Sequence, residues 1–362
     1  MRPAALDRSD GIDALRGALA LWVMLAHVVP WSVVSHGANS VLPPIQWLTS
    51  IAVTIFQPHG ETNPAVLAFI VLSGYCIQKS WTANPDVRAF AIRRVFRIAP
   101  VFLIGVALGV IGFTVAGSAS SPLAEALSGT SSIEPSCVIA KATTFAALAP
   151  TFHPCAYSGN APLLTVVVEI TLYAAFPLLL SLGRAKTVLI CSTCFIVGLI
   201  LSLNNNELFT WYQGSSLYGF LPFWWIGAAF AMQKQLPQRK FVVAFLIAWA
   251  ILTLGCIFDK TAFFAHARKI PFCLLTGVAI MALERASSPK FASLIGRAGY
   301  SIYALHAPIL YSLLIFGAPW WSAVIVAVLC GLVCFIVIER PIDRFGRAVA
   351  KRHPAPELRL SD

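Results

Sequence analysis

The sequence predicts an all-α, polytopic integral membrane protein of about ten transmembrane helices, with its N- and C-termini in the cytoplasm. Three observations predict it. Of 362 residues, 58% are hydrophobic and only 11% charged, with a mean hydropathy of +0.78; a soluble domain carries about 25% charge. Apolar runs long enough to cross a bilayer recur along the whole chain. The basic residues gather at the ends of those runs, on alternate sides.

The spans are placed near residues 12–35, 63–82, 94–116, 161–182, 187–204, 216–234, 241–258, 269–285, 298–316 and 319–339. Apolar runs of this length are helices, because lipid offers the backbone no hydrogen-bond partners. The first run follows Arg8 and Arg16 and superficially looks like a signal peptide. It lacks a small-residue cleavage site and many spans follow it, so it reads as a retained anchor. Together the spans form one domain over residues 1–341, followed by a basic tail over 342–362.

Orientation follows from the charges. Of the 26 Lys and Arg residues, all but Lys141, Lys260, Arg268 and Lys269 fall on one side. The positive-inside rule makes that side cytoplasmic. The same distribution argues against nucleic acid as the partner of the +11 net charge, since the cations flank apolar runs that face membrane lipids. Two long loops lie on the opposite side. Residues 36–62 carry no charge except Glu61 and include His36 and His59; residues 117–160 include a short helix near 138–149. Such loops serve as substrate lids or as plain connectors.

Four polar clusters interrupt the apolar runs. The first span reads DGIDALRGALALWVMLAH. Arg16 and His27 are eleven residues apart, which returns the helix to nearly the same face, with His27 about 16 Å deeper. Asp13 lies one turn before Arg16. A membrane-buried histidine suits a general base for a hydroxyl; the plainer reading is a snorkelling arginine and a packing histidine. In RRVFRIAP, Arg93, Arg94 and Arg97 open the third span at spacings that give one positive face. Guanidinium groups bind phosphate oxygens bidentately, although positive-inside anchoring also produces such clusters. Glu169 is a lone carboxylate within the fourth span, with Tyr173 at i+4. It marks either a functional site or an interhelical hydrogen bond. Tyr300, Tyr303 and His306 follow at i+3 intervals in GRAGYSIYALHAPIL, a polar stripe or an aromatic belt.

These pieces, in this order, resemble the membrane acyltransferase-3 family of bacterial surface-glycan O-acyltransferases. The resemblance rests on DALRGALALWVMLAH, FIVLSGY (Phe69 to Tyr75), RRVFRIAP, Glu169-x-x-x-Tyr173 ahead of Phe176-Pro177, GRAGYSIYALHAPIL and the closing Glu339-Arg340-Pro341. It implies a ten-helix core in the bacterial cytoplasmic membrane and an acyl-CoA donor, usually acetyl-CoA, with no metal. Arg16 and His27 match the family's essential pair, and Arg94 and Arg97 its CoA-associated RxxR. Ser73 and Gly74 match an SGF-type element, here with Tyr75 in place of Phe. Glu169 matches a carboxylate that usually follows a tryptophan; here Leu164 stands near that position.

The resemblance further implies that the CoA nucleotide docks at Arg93, Arg94 and Arg97. Ser73, Tyr173, Tyr300, Tyr303 and His306 then lie along the donor's path. His27, Arg16, Asp13 and Glu169 form the catalytic set. Direct transfer and an acyl-histidine intermediate both fit. The acceptor is a glycan or glycolipid hydroxyl, or a small molecule such as a macrolide. Some relatives carry an extracytoplasmic esterase-like domain; this chain stops at Asp362, so it completes the transfer itself or hands the acyl group to a separate extracytoplasmic acyltransferase. A transporter or flippase of lipid-linked sugars is the rival from another class, since it too uses intramembrane Glu, Arg and His. Transporters often show two related halves, and no convincing repeat relates residues 1–180 to 181–362.

Cys191-x-x-Cys194 lies in an apolar run without nearby His or carboxylate, so it is not read as a zinc site. Most other cysteines read as small packing residues within spans. Cys137 and Cys155 share the long outer loop, in a compartment that permits disulfides. We predict that they pair: Cys137→Ser should abolish a non-reducing gel shift, and two free thiols after non-reducing denaturation would contradict it.

Overall fold

The computed structural model describes residues 9–36, 62–117, 145–148, 160, 162–204, 206–258 and 261–352. Among them every regular element is a helix. In chain order these are α1 (Asp10–His36), α2 (Pro64–Ala83), α3 (Val87–Gly117), α4 (Phe145–Leu148), α5 (Leu163–Leu182), α6 (Arg184–Ser202), α7 (Glu207–Ser215) and α8 (Leu217–Ala231). Then come α9 (Arg239–Phe258), α10 (Phe263–Ala267), α11 (Lys269–Leu283), α12 (Lys290–Arg297), α13 (Gly299–Ile315) and α14 (Trp320–Cys334). A π-helical segment, Phe335–Glu339, leads into α15 (Arg340–Arg352). The long loops expected over 36–62 and 117–160 lie largely outside the described residues, as do Cys137 and Cys155. Of the short helix expected at 138–149, Phe145–Leu148 is described.

Each of the ten predicted spans coincides with a helix. Among the described residues, seven helices are by themselves long and apolar enough to cross a membrane. An eighth is added if the pair α12 and α13, bent by 66°, counts as one span. Leu103, Leu189, Ile251 and Leu254 are exposed on the outside of the bundle, as expected of lipid-facing positions.

Helix starts are set by local chemistry. Asn63 caps α2 by accepting from the Ala65 amide at 2.8 Å, and Pro64 occupies the first turn, where its missing N–H costs nothing. Ser216 caps α8 through the Gly219 amide at 2.9 Å. Asp86 accepts from the Arg88 amide at 2.9 Å and so opens α3, seven residues before the predicted start of that span.

Two boundaries depart from expectation. The charge count puts Arg268 and Lys269 on the outer side, at the start of the span over 269–285. Instead α10 runs through Arg268 into α11, and both cations are buried. Lys269 Nζ donates to Gln213 Oε1 of α7 at 3.0 Å, which lets a charged residue sit inside the bundle. At the C-terminal end, part of the predicted basic tail is α15. Its Phe345 packs edge-on to Phe96 of α3 at 5.6 Å. Asp343 and Arg347 pair at 2.7 Å across one turn, so the residues most like a tail form an amphipathic helix against α3.

The most extensive helix pairing among the described residues joins α2 to α8. A Cβ at Gly74 would collide with the Trp224 carbonyl oxygen, and one at Gly227 with the Val71 carbonyl oxygen. Small residues let backbones touch where lipid supplies no hydrophobic drive between helices. Here the close approach brings Trp224 Nε1 to 3.4 Å from Ser73 Oγ. Gly227→Leu should therefore lower the melting temperature of the detergent-solubilised protein by about 5 °C or more. An unchanged melting temperature would contradict the contact.

Candidate active site

Arg16 is positioned by its own helix and by a glycine contact. Asp13, one turn earlier, is 3% exposed and accepts from Arg16 Nη1 at 2.9 Å. The Asp13 carbonyl lies where a Cβ on Gly296 of α12 would collide with it. Backbone contact with α12 thus fixes the turn that carries Asp13. From there Arg16 Nη2 reaches Cys76 Sγ of α2 at 3.5 Å. Sulfur is a weak acceptor, so this contact satisfies little of the guanidinium.

Arg16 opens onto a cleft of about 800 Å³, its mouth included, walled by α1, α2, α3, α5 and α13. Arg94 and Arg97 line it with Arg16 and make one side cationic. The Arg94 guanidinium lies 5.5 Å from the ring centres of both Phe90 and Tyr173, and its Nε has no partner among the described residues. Arg97 feels the charges of Glu339 and Asp343. Glu339 is buried in the π-helical turn and accepts from Ser301 Oγ at 2.6 Å. Arg93 departs from the expected single face. It does not line the cleft, and its charged neighbours are Asp86 and Arg347. Arg93 and Arg94 lie about 100° apart on the helix, and the cleft takes the side that carries Arg94 and Arg97.

Beside Arg94 the cleft is lined by a directed hydrogen-bond chain. The Tyr173 hydroxyl donates to the Glu169 carboxylate. Ser73 Oγ lies 3.0 Å from that hydroxyl and, since the tyrosine proton is used, Ser73 is the donor. Trp224 Nε1 donates in turn to Ser73. The chain ends on a carboxylate that lines the cleft beside Tyr300 and Tyr303. The Tyr300 hydroxyl is turned to the Ile98 carbonyl at 3.0 Å.

The two histidines stand behind this cleft and do not line it. Tyr303 packs edge-on to Phe69 at 5.6 Å, His306 sits 5.8 Å beyond Tyr303, and His27 lies 5.3 Å beyond His306, all between ring centres. His306 Nδ1 is 2.7 Å from the Tyr303 carbonyl. A carbonyl only accepts, so Nδ1 carries the proton and Nε2 keeps its lone pair. That Nε2 is buried without a partner among the described residues. His27 Nδ1 lies 3.1 Å from the Tyr311 hydroxyl. Of the residues grouped from the sequence, the structure brings Arg16, Ser73, Arg94, Arg97, Glu169 and the three tyrosines to one cleft and leaves Asp13, Arg93, His27 and His306 outside its lining.

Sequence reasoning missed Tyr311, Cys76, Trp224 and the Ser301–Glu339 pair. Glu339 carried a signal, as a lone carboxylate closing an apolar run. The others did not, because Tyr, Cys and Trp are ordinary within membrane helices. Among the described residues no group of three or more His, Cys, Asp or Glu could hold a metal ion.

No curated protein and no solved structure matches this chain. The acyltransferase domain model of the acyltransferase-3 family matches residues 9–340, nearly the whole length. With the arginine-lined cleft in an all-helical bundle, that match makes the chain a member of the acyltransferase-3 family.

Proposed function

We propose that the protein is a ten-span enzyme of the bacterial cytoplasmic membrane, both termini inside, that moves an acetyl group from acetyl-CoA to a hydroxyl of a surface or exported glycan. The observation that carries this reading is the cleft itself. It gathers three arginines and a carboxylate-terminated hydrogen-bond chain around one space, with a histidine pair behind its tyrosine wall. Arg94 and Arg97 suit the phosphates of a CoA nucleotide. Arg16, held by Asp13, suits the polar pantetheine arm at the turn into the bundle.

In this mechanism the tautomer of His27 matters. The Tyr311 hydroxyl lies 3.1 Å from Nδ1, and the scheme uses the tautomer in which Nδ1–H donates to that oxygen and Nε2 is left to accept a proton. His27 Nε2 takes the proton of the acceptor hydroxyl as that oxygen attacks the thioester carbonyl. The C–S bond breaks and an ester forms. His27 then returns its proton to the departing sulfur, giving free CoA. His306 stands beside His27 with an unused lone pair and steadies the transient imidazolium. Glu169, at the end of its chain, accepts from another hydroxyl of the acceptor and orients it. Because Tyr303 and Phe69 stand between the cleft and His27, the tyrosine side chain moves aside as the acyl arm enters.

The test is a radiolabelled acetyl-CoA assay in membranes, with glycan products read by mass spectrometry. Wild type should release CoA and label a glycan. His27→Ala should lose about 10²- to 10⁴-fold in rate, and wild-type transfer by that variant would sink the scheme. Substrate movement without CoA release would favour a transporter, and a labelled small molecule would replace the glycan as acceptor. Tyr311→Phe leaves the His27 tautomer unpinned and should lower kcat about tenfold with little change in KM; an unchanged kcat would remove Tyr311 from the mechanism.

A further inference from the structure

A second concave site lies on the other face of α2. Ser73 and Cys76 face the acyl cleft, whereas Gln78, Lys79 and Thr82 line a separate cavity of about 1220 Å³, its opening included. The ends of α8 and α11 and the start of α6 complete its walls, with Arg184, Lys234 and Arg285 facing in.

The cations there are not matched by acids. Glu284 is the one carboxylate among the lining residues, and it is committed twice. It accepts from the Tyr75 hydroxyl at 2.7 Å and pairs with Lys79 at 3.0 Å. Arg184 makes a contact to the Met232 sulfur at 3.3 Å. Neither it nor Lys234 or Arg285 has a carboxylate within ion-pair distance among the described residues. Positive-inside anchoring accounts for cations at helix ends, but it does not account for their convergence on a cavity.

Gln78 is a second, independent observation. Its side chain is 6% exposed and lines the same cavity, and its amide donates to Thr82 Oγ1 at 3.2 Å. Its Oε1 is buried and has no partner among the described residues. A buried polar atom left unmatched is costly, and a turn of the Gln78 side chain toward the cavity it lines would let a ligand hydroxyl or amine satisfy it. Arg184 also opens α6, a helix start without a side-chain cap. Such a start leaves amide N–H groups and a positive dipole end available to an anion.

We propose that this cavity is a binding site for a phosphate-bearing anion that also carries a hydroxyl or amine donor. Arg184, Lys234 and Arg285 hold the phosphate, and Gln78 accepts from the donor. The site does not rest on the acyl-transfer reading, since it shares no lining residue with the acyl cleft. Two sources have this chemistry: the headgroup of an anionic phospholipid and a soluble nucleotide.

Binding is measured on the full-length protein in an Arg94→Gln/Arg97→Gln background, so that the acyl cleft does not contribute. One arm titrates radiolabelled adenosine 3′,5′-bisphosphate into phosphatidylcholine nanodiscs. The other follows retention of phosphatidylglycerol against phosphatidylcholine by native mass spectrometry. Saturable binding of either probe is expected, and the arm that responds names the source. Arg184→Gln/Lys234→Gln/Arg285→Gln should weaken it at least about tenfold. The near-isosteric Gln78→Glu, which places a negative charge beside the phosphate, should do the same with the basic residues intact. Failure of both probes to bind, or undiminished affinity in both variants, would overturn the proposal.

Discussion

The Asp13–Arg16 pair is the contact on which the site depends. A guanidinium within a membrane domain is costly unless matched, and Asp13 matches it at 2.9 Å while itself almost fully buried. Removing one member of a buried pair typically costs about 3–5 kcal/mol, because the other is left uncompensated. The pair also has a fixed seat. The Asp13 carbonyl rests where α12 has only a glycine, Gly296. Helix packing, the ion pair and the direction of Arg16 are therefore one arrangement. Any side chain at position 296 would move the turn that carries the carboxylate and, with it, the arginine that opens the cleft.

The same logic recurs around the cleft. The Gly74 and Gly227 approach brings α8 close enough for Trp224 to reach Ser73. Ser73 then fixes Tyr173, and Tyr173 the Glu169 carboxylate. On the other side the π-helical turn carries Glu339, which is tied to Ser301 of α13 and sits in the field of Arg97. Arg16, Glu169 and Glu339 are thus each held by a neighbour whose own position depends on helices meeting closely. A bundle built this way keeps charged groups in place and leaves the cleft as the polar interior space between α1, α2, α3, α5 and α13.

Much of this was legible in the chain, because helical periodicity fixes what lies on one helix. Asp13 with Arg16, Arg94 with Arg97 and Glu169 with Tyr173 are all i+3 or i+4 neighbours, and each pair acts together in the structure. Periodicity is silent about which neighbouring helix a face meets. That is why Arg93 was grouped with Arg94 and Arg97 although it turns toward Asp86 and Arg347. It is also why Tyr311 escaped notice, being joined to His27 only through the packing of α13 on α1. The burial of Arg268 and Lys269 was hidden for a related reason. Charges flanking an apolar run read as interfacial, and the Gln213 partner on α7, which gives Lys269 its place inside, is not visible from helical spacing.

The central claim is that a donor held by the arginines delivers its acyl group past Tyr303 to His27. A structure of the protein in nanodiscs with an unreactive acetyl-CoA analogue tests it most directly. The account predicts phosphates at Arg94 and Arg97, the arm passing Arg16, Tyr303 displaced, and the acyl carbon within about 5 Å of His27, close enough for a bound hydroxyl to bridge them. An acyl group that stops in the cleft with Tyr303 still closed over the histidines, or a nucleotide bound away from the arginines, would contradict it.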